Sequence, residues 1–258
     1  MNIDLTGKVA LVTGGSRGLG REMVLGFAAA GADVVIASRK LDSCEELAAV
    51  VEEKTGRQAL PVASHVGRWD DVDRLVDVSY EAFGHVDVLV NNAGMAPLYP
   101  KLSDVSEELF DKVVGVNLKG PFRLGALIGE RMQAGAGGSI INISSIGAEH
   151  PTITDLPYAA AKAGLNTLTK GFAVSFGPHV RSNGIMVGPF LTDISKAWDV
   201  EGYEAYARKR YPLQRLGRPS EIVGTALYFA SEESSFTTGT VITVDGGVSV
   251  SSPFPVKD

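Results

Sequence analysis

The sequence predicts an α/β fold: a doubly wound, seven-stranded parallel sheet with helices on both faces, in one domain that spans residues 1–258. Short apolar runs alternate with longer amphipathic stretches, which is the pattern of repeated β-α-β units. These runs are nearly continuous in Val, Ile and Leu, which indicates strands covered on both faces. No linker, internal repeat or low-complexity block divides the chain, so we expect a single domain.

Each predicted strand is a short apolar run that ends at glycine or at polar residues, and each predicted helix has apolar residues at helical spacing. The strands are 8–14, 33–38, 58–64, 86–94, 138–145, 180–188 and 237–247. The helices are 19–32, 42–56, 69–84, 103–133, 156–177 and 219–231. We expect Asp or Ser to cap helix 42–56 and Gly56 to end it. Helix 103–133 is expected to break or bend near Gly115 to Gly120, and Pro219 opens the last helix.

The segment 189–218 is too long for an ordinary connection, and we expect it to form a lid over a site. Its aromatic residues either line a pocket for an apolar or ring-shaped substrate or pack the lid itself. They are Phe190, Trp198, Tyr203, Tyr206 and Tyr211. The basic residues Arg208, Lys209 and Arg210 either meet an anionic carrier or face water.

Charge and cysteine content exclude several classes of function. The net charge is −6 and no basic block stands out, so we expect no nucleic-acid partner. Cys44 is the single cysteine, which allows no internal disulfide and no cysteine-based metal site, and we predict no metal. No apolar run approaches the roughly 20 residues that span a bilayer, and the N-terminus lacks a signal-peptide pattern. We therefore expect a soluble, cytoplasmic protein.

The stretch TGGSRGLG, residues 13–20, follows the first strand and opens the first helix. A dinucleotide needs such a turn, in which the backbone approaches the pyrophosphate and helix N–H groups face it. The spacing of Gly14, Gly18 and Gly20 departs from the usual G-x-G-x-x-G, so a plain glycine-rich turn remains the alternative.

The end of the second strand indicates which nucleotide binds. Enzymes that use NAD usually place Asp or Glu there, whereas this chain has Ser38 and Arg39. An arginine can clamp a 2′-phosphate through its fork of donors, and Arg17 in the glycine turn can add a second positive charge. The pattern favours NADP over NAD, unless both arginines are simply solvated.

The stretch YAAAK places Tyr158 and Lys162 on one face of a helix. A cation beside a phenol lowers its pKa and favours phenolate, so the pair could transfer a proton. A surface tyrosine and a solvated lysine are the alternative. His150, in the loop before this helix, either touches substrate or is exposed. Asn91, at the end of the fourth strand, is expected to tie strands together.

Taken together, these stretches resemble the short-chain dehydrogenase/reductase family along essentially the whole chain, which implies a Rossmann-type fold. The matching stretches occur in the family's order: TGGSRGLG, NNAG at 91–94, Asn117 in GVNLKG, Ser145, Tyr158 with Lys162, GRPSEI and VDGG. Ser145 lies 13 residues before Tyr158, the usual spacing in the family.

The resemblance implies a catalytic group of Asn117, Ser145, Tyr158 and Lys162. In the family, the tyrosine is the general acid or base and the serine donates a hydrogen bond to the substrate oxygen. The lysine binds the nicotinamide ribose, and the asparagine holds a water of a proton relay. Lys162 and an oxidised nicotinamide would together stabilise the phenolate of Tyr158.

The resemblance also implies a nucleotide-binding set with NADP as cofactor. It comprises Gly14, Ser16, Arg17, Gly18, Leu19, Gly20, Ser38, Arg39, His65, Val66, Asn92, Ala93, Gly94, Tyr158, Lys162, Gly188, Phe190 and Thr192. Two places depart from the family. His65-Val66 replaces an Asp-Val pair near the adenine, and Val187-Gly188-Pro189 replaces the usual Pro-Gly after the sixth strand.

The predicted function is an NADP(H)-dependent oxidoreductase that interconverts an alcohol and a carbonyl of a small molecule. The first alternative is a 3-oxoacyl-[acyl-carrier-protein] reductase, and the second is a non-catalytic nucleotide sensor on the same fold. Family members commonly form dimers or tetramers through two long central helices and the last strand, so we expect a homotetramer or a homodimer.

Overall fold

The seven predicted strands form one parallel sheet in the order β3-β2-β1-β4-β5-β6-β7. The computed structural model describes residues 3–192 and 200–250. The strands are β1 (Val9–Thr13), β2 (Asp33–Ser38), β3 (Ala59–Ala63), β4 (Val88–Asn91), β5 (Gly138–Ser145), β6 (Val180–Val187) and β7 (Val241–Val244). The predicted doubly wound α/β fold is confirmed.

The helices differ from the predictions mainly at their ends. They are α1 (Gly18–Ala29), α2 (Leu41–Thr55), α3 (Trp69–Phe83), α4 (Glu107–Val114), α5 (Gly120–Ala134), α6 (Leu156–Phe176), α7 (Val200–Arg210) and α8 (Val223–Ala230). The predicted Asp or Ser cap of α2 is wrong, because Lys40 is the cap residue and its side chain makes no capping bond. Asp42 lies in the first turn instead, where its charge suits the helix dipole. Gly56 ends α2 in the left-handed conformation, as predicted.

The predicted helix 103–133 is divided where its glycines indicated. A π-helical turn, Gly115–Lys119, separates α4 from α5 and confirms the predicted break. Ser106 caps α4 by accepting a hydrogen bond from Leu109 N at 3.2 Å. Similarly, the predicted helix 219–231 begins as a 3₁₀ turn, Pro219–Ile222, before α8.

The strand order creates a crevice at the carboxyl end of the sheet. β1 and β4 are neighbours, and the chain winds outward from them in opposite directions. Ligands of open α/β sheets bind at this switch point, outside the carboxyl ends of the strands. Asn91 at the end of β4 donates from Nδ2 to Asn142 Oδ1 of β5 at 2.9 Å, so the prediction that it ties strands together is confirmed.

Two apolar layers cover the sheet, one on each face. One contains Phe27 and Phe229 with α1 and α8, and the other contains Leu75 and Ile128 with α3 and α5. The second layer is tight because Gly125 and Gly129 of α5 face phenylalanine rings of α6. A Cβ at either glycine would collide with those rings, so small residues set the position of α6 beside the sheet.

The segment 189–218 contains α7 and is closed at its base by a short parallel bridge. Leu191 N donates to Gly217 O at 2.8 Å, and Gly217 N donates to Pro189 O at 3.0 Å. Tyr206 and Tyr211 pack edge to face at 5.9 Å, so these two aromatic rings contact each other. Trp198 lies outside the described residues. None of the helices in the described ranges is long and apolar enough to cross a bilayer.

Candidate active site

The glycine turn between β1 and α1 has a backbone path that only glycine permits. Gly14 has φ 62° and Gly18 has φ 54°, both in the left-handed region. A Cβ at Gly20 would collide with the carbonyl oxygen of Gly14 and would lie 2.6 Å from Asn92 Nδ2. The turn therefore brings the N-terminus of α1 to the carboxyl end of β1, where its free N–H groups suit a phosphate.

Thr13 and Asn92 hold the glycine turn against β4. Thr13 Oγ1 donates to Val90 O at 3.1 Å and accepts from Asn92 N at 3.0 Å and Ala93 N at 3.1 Å. Asn92 Nδ2 donates to Thr13 O at 2.9 Å and to Gly14 O at 3.2 Å. The predicted residues Gly14, Asn92 and Ala93 are thus brought together. Thr13 was not predicted, although it is the first residue of the TGGSRGLG stretch.

The end of β2 meets the glycine turn through two serine side chains. Ser16 Oγ donates to Ser38 Oγ at 2.9 Å. Arg17 and Arg39 follow these serines and are both exposed. Within residues 3–192 and 200–250, neither arginine forms an ion pair with a carboxylate. Both guanidinium groups are therefore available to an external anion.

The other predicted nucleotide contacts lie around the same turn. A Cβ at Gly18 would lie 3.5 Å from Thr192 Cβ, so Thr192 is close to the turn. Leu19 packs against the apolar core beside α1. Gly188 allows the close approach of Asp245, whose Cβ would lie 2.6 Å from an added Cβ. Phe190 is buried, and its ring packs against Gly217.

His65 takes part in a turn after β3. Its Nδ1 accepts from Gly67 N at 3.2 Å, and its backbone N donates to Asp71 Oδ2 at 2.9 Å. Because Nδ1 is an acceptor there, Nε2 carries the proton of the neutral ring and can only donate. The following residue, Val66, places its carbonyl oxygen where a Cβ of Gly120 would collide with it. An acid at position 65 could accept from an adenine amine, and this histidine cannot.

Ser145, Tyr158 and Lys162 meet at the end of β5. Ser145 Oγ and the Tyr158 ring lie on either side of one point beside Gly147: a Cβ built on this glycine would be 3.4 Å from Ser145 Oγ and 3.9 Å from Tyr158 Cε1. Lys162 Nζ donates to Ile143 O of β5 at 2.7 Å and lies 5.7 Å from the centre of the Tyr158 ring. The Lys162 side chain is only 3% exposed. The alternative of a surface tyrosine and a solvated lysine is therefore wrong.

The expected effect of Lys162 on the Tyr158 phenol is also wrong for the chain itself. Burial raises the pKa of Tyr158, the neighbouring Ser145 side chain lowers it, and the charge of Asp155 raises it. Burial lowers the pKa of Lys162 to about 8. Burial disfavours the charged form of each group, so the phenol stays protonated near neutral pH.

Asn117 lies in the π-helical turn and is fully buried. Its Nδ2 donates to Met95 O at 2.8 Å and to Val113 O at 2.9 Å, and its Oδ1 accepts from Met95 N at 3.3 Å. A Cβ at Gly94 would lie 3.0 Å from Asn117 Oδ1 and 3.7 Å from Lys162 Nζ. Asn117 therefore holds the loop after β4 next to the lysine, and glycine at position 94 leaves space between them.

A small pocket, too narrow to hold a water molecule as the side chains stand, lies against Tyr158. It is lined by Pro97, Tyr99, Leu109, Val113, Asp155, Pro157 and Tyr158. Tyr99 is buried and its Oη accepts from Leu156 N at 2.9 Å, which joins the two loops that form the pocket. Tyr99 and Asp155 were not predicted; Asp155 could have been suspected because it directly precedes the helix that carries Tyr158. His150 is exposed and does not line the pocket.

The arrangement can hold a carbonyl oxygen between two hydroxyl groups and give it a proton. In the ranges that the structure describes, no group of three or more His, Cys, Asp or Glu residues could hold a metal ion. The glycine turn leaves a space that side chains would otherwise fill, next to the N-terminus of the 12-residue helix α1. These residues fit a bound dinucleotide at one end and a proton donor at the other.

Comparison with known proteins gives a consistent result. Residues 14–249 match the family model described as Enoyl-(Acyl carrier protein) reductase. The chain is 39% identical to the short chain dehydrogenase/reductase astE of Aspergillus oryzae, over 95% of this chain and 96% of that protein. It is 38% identical to the L-rhamnose 1-dehydrogenase (NAD(P)(+)) of Azotobacter vinelandii, over 95% of this chain and 98% of that protein.

A solved structure agrees with these sequence matches. The L-sorbose reductase of Gluconobacter frateurii, solved with NADPH and L-sorbose, superimposes with a TM-score of 0.90 at 31% identity. The match covers 96% of this chain and 98% of that one. The match therefore includes nearly the whole of both chains.

Proposed function

The chain belongs to the short-chain dehydrogenase/reductase family, and from that premise we propose that it is an NADP(H)-dependent oxidoreductase that interconverts an alcohol and a carbonyl. One observation carries the proposal: Ser145, at the carboxyl end of β5, lies close to Tyr158, and the buried Lys162 has its Nζ 5.7 Å from the centre of the phenol ring. The glycine turn lies at the end of β1 in the same crevice.

Each catalytic side chain has one role in this proposal. NADPH, when bound, supplies the hydride that reduces the carbonyl carbon. Ser145 donates a hydrogen bond to the carbonyl oxygen, where negative charge develops. Tyr158 gives its proton to that oxygen. Lys162 would bind the nicotinamide ribose, and Asn117 holds the neighbouring loop and would complete the proton relay.

The raised pKa of Tyr158 means that the chain alone carries the phenol rather than the phenolate near neutral pH. The phenol is the form that can protonate an alkoxide, the step that carbonyl reduction requires. Oxidation of an alcohol requires the phenolate, and the positive charge of an oxidised nicotinamide would then favour it. Because the phenolate forms more readily at high pH, we expect alcohol oxidation to be faster there.

The choice of NADP rests on the exposed arginines. Arg17 and Arg39 directly follow Ser16 and Ser38, whose hydroxyl groups share a hydrogen bond, and the end of β2 carries no acid. A carboxylate there would repel a 2′-phosphate, whereas a guanidinium binds it. The solved L-sorbose reductase contains NADPH, which is consistent with this proposal for a related fold.

A second candidate is reduction of a 3-oxoacyl thioester on acyl-carrier protein. The basic last turn of α7, Arg208 to Arg210, is exposed and could dock an acidic carrier. Glu204 partly neutralises this positive charge by pairing with Arg208 at 3.6 Å. If this candidate is correct, Lys209→Glu should slow reduction of the carrier-bound thioester but not of the free thioester. Equal effects on both would argue against it.

A non-catalytic nucleotide sensor is the third candidate, and nothing in the site favours it. Such a protein has no need of a serine and a tyrosine close together next to a buried lysine. Burying an ammonium group disfavours its charged form, and here burial lowers the pKa of Lys162 to about 8. A charged group kept at that cost is more typical of a functional site.

The test of the proposed function is oxidation of NADPH in the presence of ketones, quinones, sugars and 3-oxoacyl esters. We expect turnover with at least one class, and we expect Tyr158→Phe to lower kcat/KM by about 10³-fold because it removes the proton donor. Tyr228→Phe is the matched control, since this hydroxyl contacts Thr237 Oγ1 at 2.8 Å outside the site. Turnover that survives in Tyr158→Phe would refute the acid assignment.

We propose further that the protein is a homotetramer or homodimer. Phe122 of α5 is 44% exposed and Val174 of α6 is 85% exposed, on the two long central helices. β7 is an edge strand of the sheet, and Phe236 before it is fully exposed. Exposed edges and apolar side chains favour association. Light scattering at micromolar concentration would show a monomer if this proposal is wrong.

A cytoplasmic location is the last part of the proposal. Cys44 is a free, buried cysteine, and burial raises the pKa of its thiol. A thiol that is neither paired nor reactive suits a reducing compartment. Fractionation of cells would contradict the proposal if the protein appeared outside the cytoplasmic fraction.

A further inference from the structure

We propose that Asp155 is a specificity-determining residue that selects substrates by the group next to the reacting carbonyl. The proposal rests on the proposed function and deepens it. Asp155 would favour a neutral substrate with a hydroxyl group on the carbon beside the carbonyl, and it would reject one with a carboxylate at that place. The substrate class is therefore an uncharged α-hydroxy ketone or aldehyde.

The geometry places Asp155 with the two catalytic hydroxyl groups. A Cβ built on Gly147 would lie 3.4 Å from Ser145 Oγ, 3.6 Å from Asp155 Oδ2 and 3.9 Å from Tyr158 Cε1. The side chains of Ser145, Asp155 and Tyr158 therefore all lie within van der Waals contact distance of this one point. Asp155 also lines the small pocket against Tyr158. A substrate whose carbonyl lies between Ser145 and Tyr158 would present its neighbouring carbon to this carboxylate.

The two oxygens of Asp155 have different environments. Oδ1 accepts from Thr152 N at 2.9 Å, and this bond fixes the side chain. Oδ2 forms no hydrogen bond with any of residues 3–192 or 200–250 in the structure. One oxygen therefore holds the carboxylate in place, and the other can accept a hydrogen bond from a substrate hydroxyl.

The rest of the pocket increases the effect of the charge. Among its lining residues, Asp155 is the charged side chain, and Pro97, Leu109 and Val113 are apolar. Charges interact more strongly next to apolar groups than in water, so a substrate carboxylate would be repelled. The charge of Asp155 raises the pKa of Tyr158, in agreement with the short distances around Gly147.

The experiment uses three ketones that differ only beside the carbonyl: 2-hydroxyacetophenone, propiophenone and benzoylformate. Their flanking groups are a hydroxymethyl, an ethyl and a carboxylate, and all three carry the same phenyl ring on the other side of the carbonyl. Consumption of NADPH by the purified full-length protein gives kcat/KM for each ketone. The wild-type protein should prefer the hydroxymethyl ketone to the ethyl ketone and should discriminate most strongly against benzoylformate.

Asp155→Asn is the main variant, because its Oδ1 can still accept from Thr152 N. We expect it to raise the kcat/KM ratio of benzoylformate to propiophenone by about tenfold, the size of one modest charge interaction. Asp155→Ser keeps a shorter acceptor and should shift the ratio in the same direction, which guards against an effect peculiar to one variant. Glu149→Gln is the control, since Glu149 is exposed in the same loop and does not line the pocket.

The outcomes separate this proposal from the proposed function. If both Asp155 variants turn over the ketones with unchanged ratios, the specificity role is refuted and the oxidoreductase proposal stands. If Glu149→Gln changes the ratio as much as the Asp155 variants do, the change comes from the net charge of the loop and not from the position of Asp155. The specificity role of Asp155 is then likewise refuted. If the wild-type protein reduces none of the ketones in this series or in the wider panel, both proposals fall together.

Discussion

The two ends of the crevice are built in opposite ways. At the catalytic end, Lys162 and Asn117 are buried and bonded to backbone groups. At the phosphate end, Arg17 and Arg39 are exposed and, among the residues described, form no ion pair with a carboxylate. The catalytic end is therefore held in position by the fold itself, whereas in the proposed complex the arginines at the other end would acquire a position when the nucleotide phosphate binds.

The difference has a physical reason for each end. Proton transfer depends on placement to within fractions of an ångström, which requires side chains held by several bonds. Selection of NADP over NAD needs only a positive charge near the 2′-phosphate. An exposed guanidinium supplies that charge at little cost in desolvation. We therefore expect changes at the buried end to alter rate or stability, and changes at the exposed end to alter nucleotide preference and its dependence on salt.

The largest expected effect comes from the glycine turn, which joins the two ends. Gly20→Ala would place a methyl group against the carbonyl oxygen of Gly14 and 2.6 Å from Asn92 Nδ2. The turn must then open, so we expect NADPH affinity to fall by at least about 100-fold, as measured by fluorescence titration.

Gly224→Ala is the matched control for this prediction. Gly224 is also helical, but a Cβ there meets no atom within 4 Å. Alanine should stabilise the protein by about 0.5–1 kcal/mol and leave NADPH affinity unchanged. Similar affinities for Gly20→Ala and Gly224→Ala would show that the turn does not bind the nucleotide.

The buried lysine gives the next effect, a dependence of stability on pH. Below about pH 8 both the folded and the unfolded chain carry the Lys162 charge. Between about 8 and 10.5 the unfolded chain binds a proton that the folded chain has released, so the free energy of unfolding rises with pH. This rise is about 3 kcal/mol by linkage and should be absent in Lys162→Met.

Denaturant unfolding of both proteins at several pH values measures this difference. Other groups titrate in the same pH range, but they are present in both proteins. The difference in the free energy of unfolding between wild type and Lys162→Met therefore isolates the contribution of the lysine. The loss of the bond to Ile143 O adds a constant destabilisation that does not vary with pH. Parallel curves from pH 7.5 to 10.5 would show that the ammonium is not buried as described.

A smaller effect is expected at the exposed end. Arg39→Asp should lower the ratio of kcat/KM for NADPH over NADH by about tenfold to a hundredfold, because a carboxylate repels the 2′-phosphate and accepts from a ribose diol. Lys54→Asp, which makes the same change of charge in the last turn of α2, should leave the ratio unchanged. High salt should reduce the wild-type preference. A wild-type preference for NADH that Arg39→Asp leaves unaltered would refute the NADP proposal.

The two ends also differ in how well they could be predicted. The strands, the glycine turn and the pairing of Tyr158 with Lys162 follow from periodicity and spacing, which are local properties of the sequence. The direction of the pKa shift of Tyr158 depends on burial by distant segments, and no local pattern reports that. The side-chain bonds of Asn117 to Met95 likewise join residues that are 22 positions apart.

Tyr99 and Asp155 show the same limit from another side. Each lies in a loop, where neither the period of a helix nor that of a strand marks the side chain that faces a pocket. They meet at the pocket because β4 and β5 are neighbours in the sheet, and the loops that follow those strands leave from the same edge. Knowledge of the strand order is therefore needed before the substrate side of the site can be predicted.

The smallest expected effect tests whether buried bonds of the scaffold reach the exposed end. Thr13→Val removes the hydroxyl that accepts from Asn92 N and Ala93 N, and it leaves both N–H groups without this acceptor. We expect the free energy of unfolding to fall by about 1–3 kcal/mol in denaturant titrations. The KM for NADPH should rise several-fold while kcat changes little, because Asn92 also holds Gly14 O of the phosphate turn. Thr13→Ser keeps the hydroxyl and should retain most of both properties. If Thr13→Val lost stability with an unchanged KM, the buried network would support the sheet alone, and the two ends of the crevice would be independent.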